Sequence, residues 1–247
     1  MSTAISSSLR FPLAGTMDDV KRGPKAGLPN VRSDFMYYNR DTASKLFINH
    51  LTVDKYIKPR SDIYALINFG YLELMHAGIR SEIIWKNNQK PFGFGLDVAK
   101  VQKRGTLGNF NLQDQHYSTY LASFYYNLPN DWIAKFDFGK YLAGDLGSTL
   151  SINRSFNNGW EFGAFATLTD VKFSTFGEGS FDKGITLKVP LSWFTGKKSQ
   201  AYSKSVIRPI TGDGGARLHL DDDKFLYRNI ARYGERSFNK NWKRVYR

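Results

Sequence analysis

The chain has 247 residues, enough for one large β domain or two ordinary ones, and 41% of them are hydrophobic, so a sizeable core or lipid belt is within reach. It has no cysteine, which excludes a disulfide framework, a thiol nucleophile and a cysteine-based zinc site. Aromatics at 15% and 22 glycines favour strands and tight turns, while 35 Lys and Arg against 22 Asp and Glu leave a net charge of +13 that favours anionic partners.

In chain order, strand-like stretches fall near residues 4–11, 34–39, 46–53, 62–71, 78–85, 92–101, 117–127, 131–141, 147–156, 160–168, 183–190 and 202–208. They make about twelve strands, the even count of single-chain bacterial outer-membrane barrels. No helical period competes before residue 220. No apolar run approaches the roughly 18 residues of a membrane helix. The opening MSTAISSSLRFPLAG lacks the apolar stretch of a secretory signal, and Thr3 to Phe11 already reads as a strand. The expectation is a piece of a longer protein.

The connections alternate in length. Short polar turns occur at Lys86–Lys90, Asn127–Asp131 and Asn157–Gly159, the last a good hairpin signal. Longer ones fall at 102–116 and 169–182, and Leu142–Gly147 is intermediate. Short turns on one rim and long loops on the other are what a meandering outer-membrane barrel shows. The long loops are expected outside the cell, with the short turns in the periplasm.

Side-chain parity points the same way. Trp132, Ala134, Phe136 and Phe138 share one side of a strand, with Lys135, Asp137 and Gly139 on the other. Phe92, Phe94, Leu96 and Val98 oppose Gly93, Gly95 and Asp97, and Tyr120, Ala122, Phe124 and Tyr126 form an apolar band ending in tyrosines. A charge on a lipid-facing side costs about 2–4 kcal/mol at mid-bilayer, so Lys135 and Asp137 must point inward in a barrel. Arg154 shares the apolar side with Leu150, Ile152 and Phe156, beside a turn where it can snorkel to headgroups. A water-soluble sandwich also alternates, but it would leave the Gly, Ser, Thr, Asn and charged side outside.

The stretches "KYLAGDLGSTLSINRSFNNGWEFGAFATLT", "FGEGSFDKGITLKVPLSW" and "RPITGDGGARL" resemble the C-terminal region of the YjbH-type exopolysaccharide and capsule proteins of Gram-negative bacteria. "GLPNVRSD", "LTVDKYIKPRSDIYALINFGYLELMHAGIRSEIIW" and "FGFGLDVAKVQKRG" are similar in order and spacing, so the resemblance runs to about residue 220. It implies an outer-membrane β-barrel acting in export of exopolysaccharide or group 4 capsule, with no enzymatic activity and no catalytic motif to carry over. Members of that family are longer and begin with a signal, some as lipoproteins.

No catalytic constellation stands out. His50, His76, His116 and His219 are scattered without metal-ligand spacing and read as structural or surface residues. Glu161, Asp137 and Asp182 could meet in a lumen as paired carboxylates able to cleave glycosides, but no motif anchors them. The glycines of 144–147, 177–179 and 212–215 lack the helix and Lys-Ser/Thr of a phosphate loop. "TGDGGARLH", residues 211–219, has two readings: a flexible exit from the last strand, which is favoured, or a tight turn seating Asp213 and Arg217 near the pore or an inner plug.

Residues 224–247 supply +7 of the net charge, with Lys224, Arg228, Arg232, Arg236, Lys240 and Arg244 at intervals of four. On a helix that spacing winds a basic stripe partly round the surface, interleaved with aromatics. Nucleic acid is the obvious alternative ligand, but no nucleic-acid motif accompanies the stripe, and lipid phosphates or an acidic polysaccharide fit better.

The reading is therefore an all-β, antiparallel outer-membrane β-barrel of about twelve strands over residues 1–210, then a glycine-rich exit segment and basic tail over 211–247. Its expected role is non-catalytic, in secretion or assembly of exopolysaccharide or capsule, without a cofactor or metal. The alternative is a soluble β-rich module binding carbohydrate or nucleic acid. Lys135, Asp137, Glu161 and Lys188 are expected to line the lumen, with Asp182 and Lys183 at the rim and Arg228, Arg232, Arg236, Lys240 and Arg244 as an anion-binding tail. Expected partners are outer-membrane lipid, acidic polysaccharide and other secretion proteins.

Overall fold

The computed structural model describes residues 2–13, 27–156, 158–172, 181–196, 201–209, 212–221 and 224–233. Eleven strands form one sheet in chain order, each antiparallel to the next: β1 Ser2–Arg10, β2 Phe47–Arg60, β3 Ile63–Tyr71, β4 His76–Trp85, β5 Phe92–Arg104, β6 Leu112–Asn127, β7 Trp132–Lys140, β8 Leu146–Ser155, β9 Glu161–Thr169, β10 Asp182–Pro190 and β11 Tyr202–Ile207. Helices are few: α1 Phe35–Thr42, α2 Ser192–Thr195 and α3 Leu226–Tyr233.

The stretch expected as a strand near 34–39 is α1, which makes eleven strands and puts a helix well before residue 220. Its consecutive Phe35, Met36, Tyr37 and Tyr38 suit a strand by propensity, but tertiary burial decides. Tyr38 and Thr42, four apart on one helix face, are both fully buried. The Thr42 hydroxyl donates to the Tyr38 carbonyl, and the Tyr38 hydroxyl donates to that of Arg104, each at 2.6 Å.

All the short turns foreseen from the sequence lie on one rim, and both longer loops lie on the other. β5 and β6 run beyond their expected ends, past a register shift between Gln102 and Arg104, so their loop shrinks to 105–111. The sheet is open: β1 and β11 are its two edges and do not pair with each other.

Every central strand shows its apolar side to the outside. Phe94, Leu96 and Val98 of β5, Tyr120, Phe124 and Tyr126 of β6, and Phe136 and Phe138 of β7 are all exposed, as are Leu150 and Ile152 of β8 and Phe162 and Leu168 of β9. The opposite side carries buried Asp54, Asn68, Arg80, Glu82, Ser123, Asp137, Thr149, Thr167, Asp182 and Lys188. This distribution is inverted relative to a sandwich in water.

At Gly78 and Gly139, φ is +151° and +150°, and a side chain would bring Cβ to 2.3 Å from the Lys100 carbonyl and 2.0 Å from that of Tyr120. Only glycine lets neighbouring strands come this close while the sheet bends. The bend is substantial, because the single segment 212–227 reaches Asp54 on β2 through Lys224 and Thr167 on β9 through Gly215. The sheet curls round that segment.

Candidate functional site in the interior

The inner face is covered by two stretches remote in sequence, residues 27–34 ahead of α1 and the described residues of 212–221 and 224–230. One Asp213 carboxylate oxygen accepts the backbone N–H groups of Val31, Arg32 and Ser33 at 3.0, 2.6 and 2.9 Å, and the other accepts the Ser33 hydroxyl at 2.7 Å. Gly215 donates its N–H to Asp145 at 2.8 Å, and Leu142 donates to the Ala216 carbonyl at 2.9 Å. The glycine-dense 212–215 turn is therefore an ordered inner plug, the less favoured of the two readings. Its tightness allows one carboxylate to gather three amides.

Beside it, Arg32 holds Glu73 through both carboxylate oxygens, at 2.7 and 2.9 Å, and also donates to the Arg217 carbonyl. Glu73 further receives His76 Nδ1 at 2.7 Å and the His219 backbone N–H at 2.9 Å. Burial by itself would raise the Glu73 pKa. The Arg32 guanidinium and then His76 outweigh it and hold Glu73 well below the usual carboxylate range. Asp145 shows the reverse balance: burial raises its pKa, and the Gly215 N–H only partly offsets this. Arg104, fully buried, spends its guanidinium on the carbonyls of Ile48, Asn49, Glu73 and Asn109, tying the start of β2 to the β3–β4 and β5–β6 connections. Lys103 pairs with Asp34 at 2.5 Å.

Towards the short-turn rim a second network continues the plug. Arg80, 1% exposed, donates to Asp97 at 2.8 and 2.5 Å, to Asn68 at 3.0 Å and to the Lys224 carbonyl at 2.8 Å, and lies 3.1 Å from Glu82. Lys224 ion-pairs with Asp54, and Glu82 accepts the Leu226 N–H at 3.0 Å. Tyr227 stacks on Tyr125 with centroids 3.9 Å apart and donates to Asn127 at 3.0 Å. Leu66, Ile84, Tyr125, Leu226 and Tyr227 form an apolar cluster inside the curl.

Of the lumen residues read from the sequence, Lys135 and Asp137 meet at 2.9 Å, and Asp137 also holds Arg217 at 2.8 Å and accepts from Ser123 at 2.5 Å. Lys188 lies 3.6 Å from Glu161 and 3.7 Å from the centroid of the Tyr202 ring. Asp182 is buried on the inner face with Arg208 at 3.4 Å. Lys183, one residue on, falls on the opposite side of β10, where its ammonium lies 4.2 Å from the Phe181 ring centroid. Asp182 and Lys183 thus share a rim but not a face. Asp137, Glu161 and Asp182 each face a cation rather than one another.

In the basic tail, Arg228 and Arg232 lie on α3, while Arg236, Lys240 and Arg244 fall outside the described residues. Lys224, counted in the same stripe, is buried against Asp54 because α3 docks on the sheet. Among the described residues no three His, Asp or Glu side chains gather as a metal site. Parity placed Asp97 opposite the apolar side of its strand, as found, but sequence reading missed Arg32, Glu73, Arg80 and Glu82 as interior residues. Parity alone could have found the last two, since they alternate with outward Ile79 and Ile83.

The family model YjbH, described as "Exopolysaccharide biosynthesis protein YbjH", matches residues 1–232. The "Uncharacterized lipoprotein YjbH" of Escherichia coli (strain K12) is 29% identical over 199 residues, covering 77% of this chain. The match takes in 28% of that longer protein. No solved structure matches the chain.

The Glu73 cluster makes stability acid-sensitive. A carboxylate whose native pKa is depressed adds stability above its unfolded value, here 4.5, and loses it as pH falls from there toward the native value. Glu73→Gln leaves Arg32 without its counter-charge and is expected to cost on the order of 3 kcal/mol near neutrality. In urea unfolding at stepped pH, the gap between wild type and variant should narrow below pH 4.5. A gap constant down to pH 3 would contradict this account.

Proposed function

We propose that this chain, which belongs to the YjbH exopolysaccharide biosynthesis family, is a non-catalytic outer-membrane β structure serving polysaccharide secretion or assembly. The observation that carries the reading is the inverted sheet. Exposed Phe94, Leu96, Phe124, Phe136, Phe138, Leu150, Ile152 and Phe162 make a continuous apolar outside, while charge lies within. Cations sit over rings at its margins: Lys90 over Trp85 and Arg154 over Trp132 at one rim, Lys140 over Tyr120 and Lys183 over Phe181 at the other. A lipid-facing band flanked by aromatic and basic side chains has this form. The similar E. coli protein is named a lipoprotein, which suits a membrane setting.

Barrel closure belongs to the same proposal. After ten reversals β1 and β11 run in the same direction, so pairing them directly would be parallel. One further strand running the other way would close twelve antiparallel strands, and we propose that closure. The charged interior favours an anchor or scaffold over an open bore, because Lys135, Asp137, Arg217 and Ser123 satisfy one another and the plug occupies the space beside them.

Three outcomes are expected. The full-length protein should need detergent to stay monodisperse after membrane removal; a soluble, monodisperse protein without it would overturn the membrane reading. In this cysteine-free chain, Leu107→Cys in the β5–β6 loop should react with an impermeant maleimide on intact cells, and Gln89→Cys in the β4–β5 turn only after outer-membrane permeabilisation. The reverse pattern inverts the topology. Finally, replacing Lys135 and Asp137 together by Ser should lower the heat stability of the folded form, with polymer export falling only as protein is lost. Altered export at unchanged protein level would instead indicate a conduit.

A further inference from the structure

One cation on the outer face lies far from either rim. Lys55 is on the outward side of β2, between outward Val53 and Ile57, while buried Asp54 faces in. Its partner on β3 is Ile67, the middle member of the outward row Ile63, Ala65, Ile67, Phe69 and Tyr71. Two outward positions lie on either side of that level. In the membrane reading the ammonium is therefore near mid-depth, where a charge facing lipid is most costly.

A lysine can snorkel along its strand to the headgroups. This one leans sideways instead, and its Nζ donates to the Thr3 hydroxyl at 2.9 Å. Thr3 is its direct partner on β1, the edge strand, so the ammonium is carried towards the open seam. The hydroxyl takes one of the three ammonium donors and none of the charge. Among the described residues no carboxylate pairs with Lys55. Whatever meets this edge has to bring an anion. Neither edge strand can, because Ser2–Arg10 and Tyr202–Ile207 contain no Asp or Glu. Pairing β1 with β11, or with an edge of a second copy, would leave Lys55 uncompensated. A strand of other sequence is required, and the similar E. coli protein is far longer than the stretch matched here.

We propose that the strand closing the sheet against β1 comes from the remainder of the full-length protein and carries an outward Asp or Glu at the position paired with Thr3, where it ion-pairs with Lys55. Directly opposite side chains on antiparallel strands have Cβ atoms about 4.5–5.5 Å apart. A carboxylate there is within reach of an ammonium already resting on Thr3. The proposal rests on the membrane and closure readings given above and adds to them the register of the seam. A slip of one residue would turn the carboxylate into the interior, and a slip of two would carry it away from Lys55.

Unfolding midpoints of the full-length protein in phospholipid vesicles, read by heat-modifiable mobility, separate the settings of Lys55 by sign. Lys55→Met keeps the length and removes the charge. In the paired seam it strands a carboxylate and should lower the midpoint by on the order of 5 °C, with Lys55→Arg near wild type. A lipid-facing lysine predicts a higher midpoint for Lys55→Met, and that result would overturn the proposal. Thr3→Val, which removes only the hydroxyl, should change little; a fall as large as that of Lys55→Met would assign the effect to Thr3 and also overturn it. Dicyclohexylcarbodiimide, which joins an amine to a carboxylate in contact with it, should couple Lys55 to an acid of the same chain outside these 247 residues, as mapped by mass spectrometry. Coupling to a second copy or to another protein, or no coupled Lys55, overturns the assignment. An unchanged Lys55→Met midpoint in a protein that requires detergent removes the pairing alone. A wild type soluble without detergent removes the membrane reading first.

Discussion

A strand can hide only alternate side chains behind it, and here the set turned inward is the charged one. Everything else in the architecture answers that constraint. Arg80, Glu82, Asp54 and Asp137 sit at inward positions, nearly inaccessible to water, and an ion there is tolerable only if its partners are built in. The sheet supplies some of them: Asp97 for Arg80, Lys135 for Asp137. It does not supply enough. Asp54 takes its cation from Lys224, far along the chain, and Asp137 takes its second from Arg217.

The plug is thus part of the fold's electrostatics as well as its packing. Arg32 and Glu73 join two connections, Asp213 gathers the backbone of 31–33, and Ala216 packs with Val31, Leu72, Val101 and Leu142. Because these groups share partners, with Glu73 held by both Arg32 and His76 and Asp137 by both Lys135 and Arg217, the network should act as a unit with non-additive responses. This is also why the interior argues for rigidity. A hydrated polymer passing through would have to displace contacts that currently neutralise one another.

Sequence legibility divided along the same lines. The strands were readable because period two runs unbroken through segments such as Trp132–Phe138, and the same parity placed Lys135 and Asp137 inside and Arg154 outside. The stretch at 34–39 misled because local propensity carries no trace of Tyr38 reaching Arg104, some 66 positions away. The glycine-rich 212–215 turn was legible only as two alternatives, since glycines that permit a tight turn and glycines that permit disorder look alike in sequence. What decides between them is Asp213 meeting amides 180–182 positions earlier. Lys224 was grouped with the basic stripe by its spacing of four, and nothing near it in sequence reveals Asp54.

The open edges set one further condition on the membrane reading. An unpaired strand edge in hydrocarbon leaves every second N–H and C=O without a partner, at several kcal/mol each. The outward positions of the edge strands mix polar and apolar side chains: Thr3, Ile5 and Ser7 on β1, Ser203, Ser205 and Ile207 on β11. The unpaired backbone, more than these side chains, favours a seam met by more protein rather than by lipid. The plug makes such a seam workable, because the curl is held from within by Lys224 on β2 and Gly215 on β9. Curvature therefore does not depend on closure. A closing strand then has only to fill a gap whose two sides are already positioned, and whose shared direction fixes the way that strand must run.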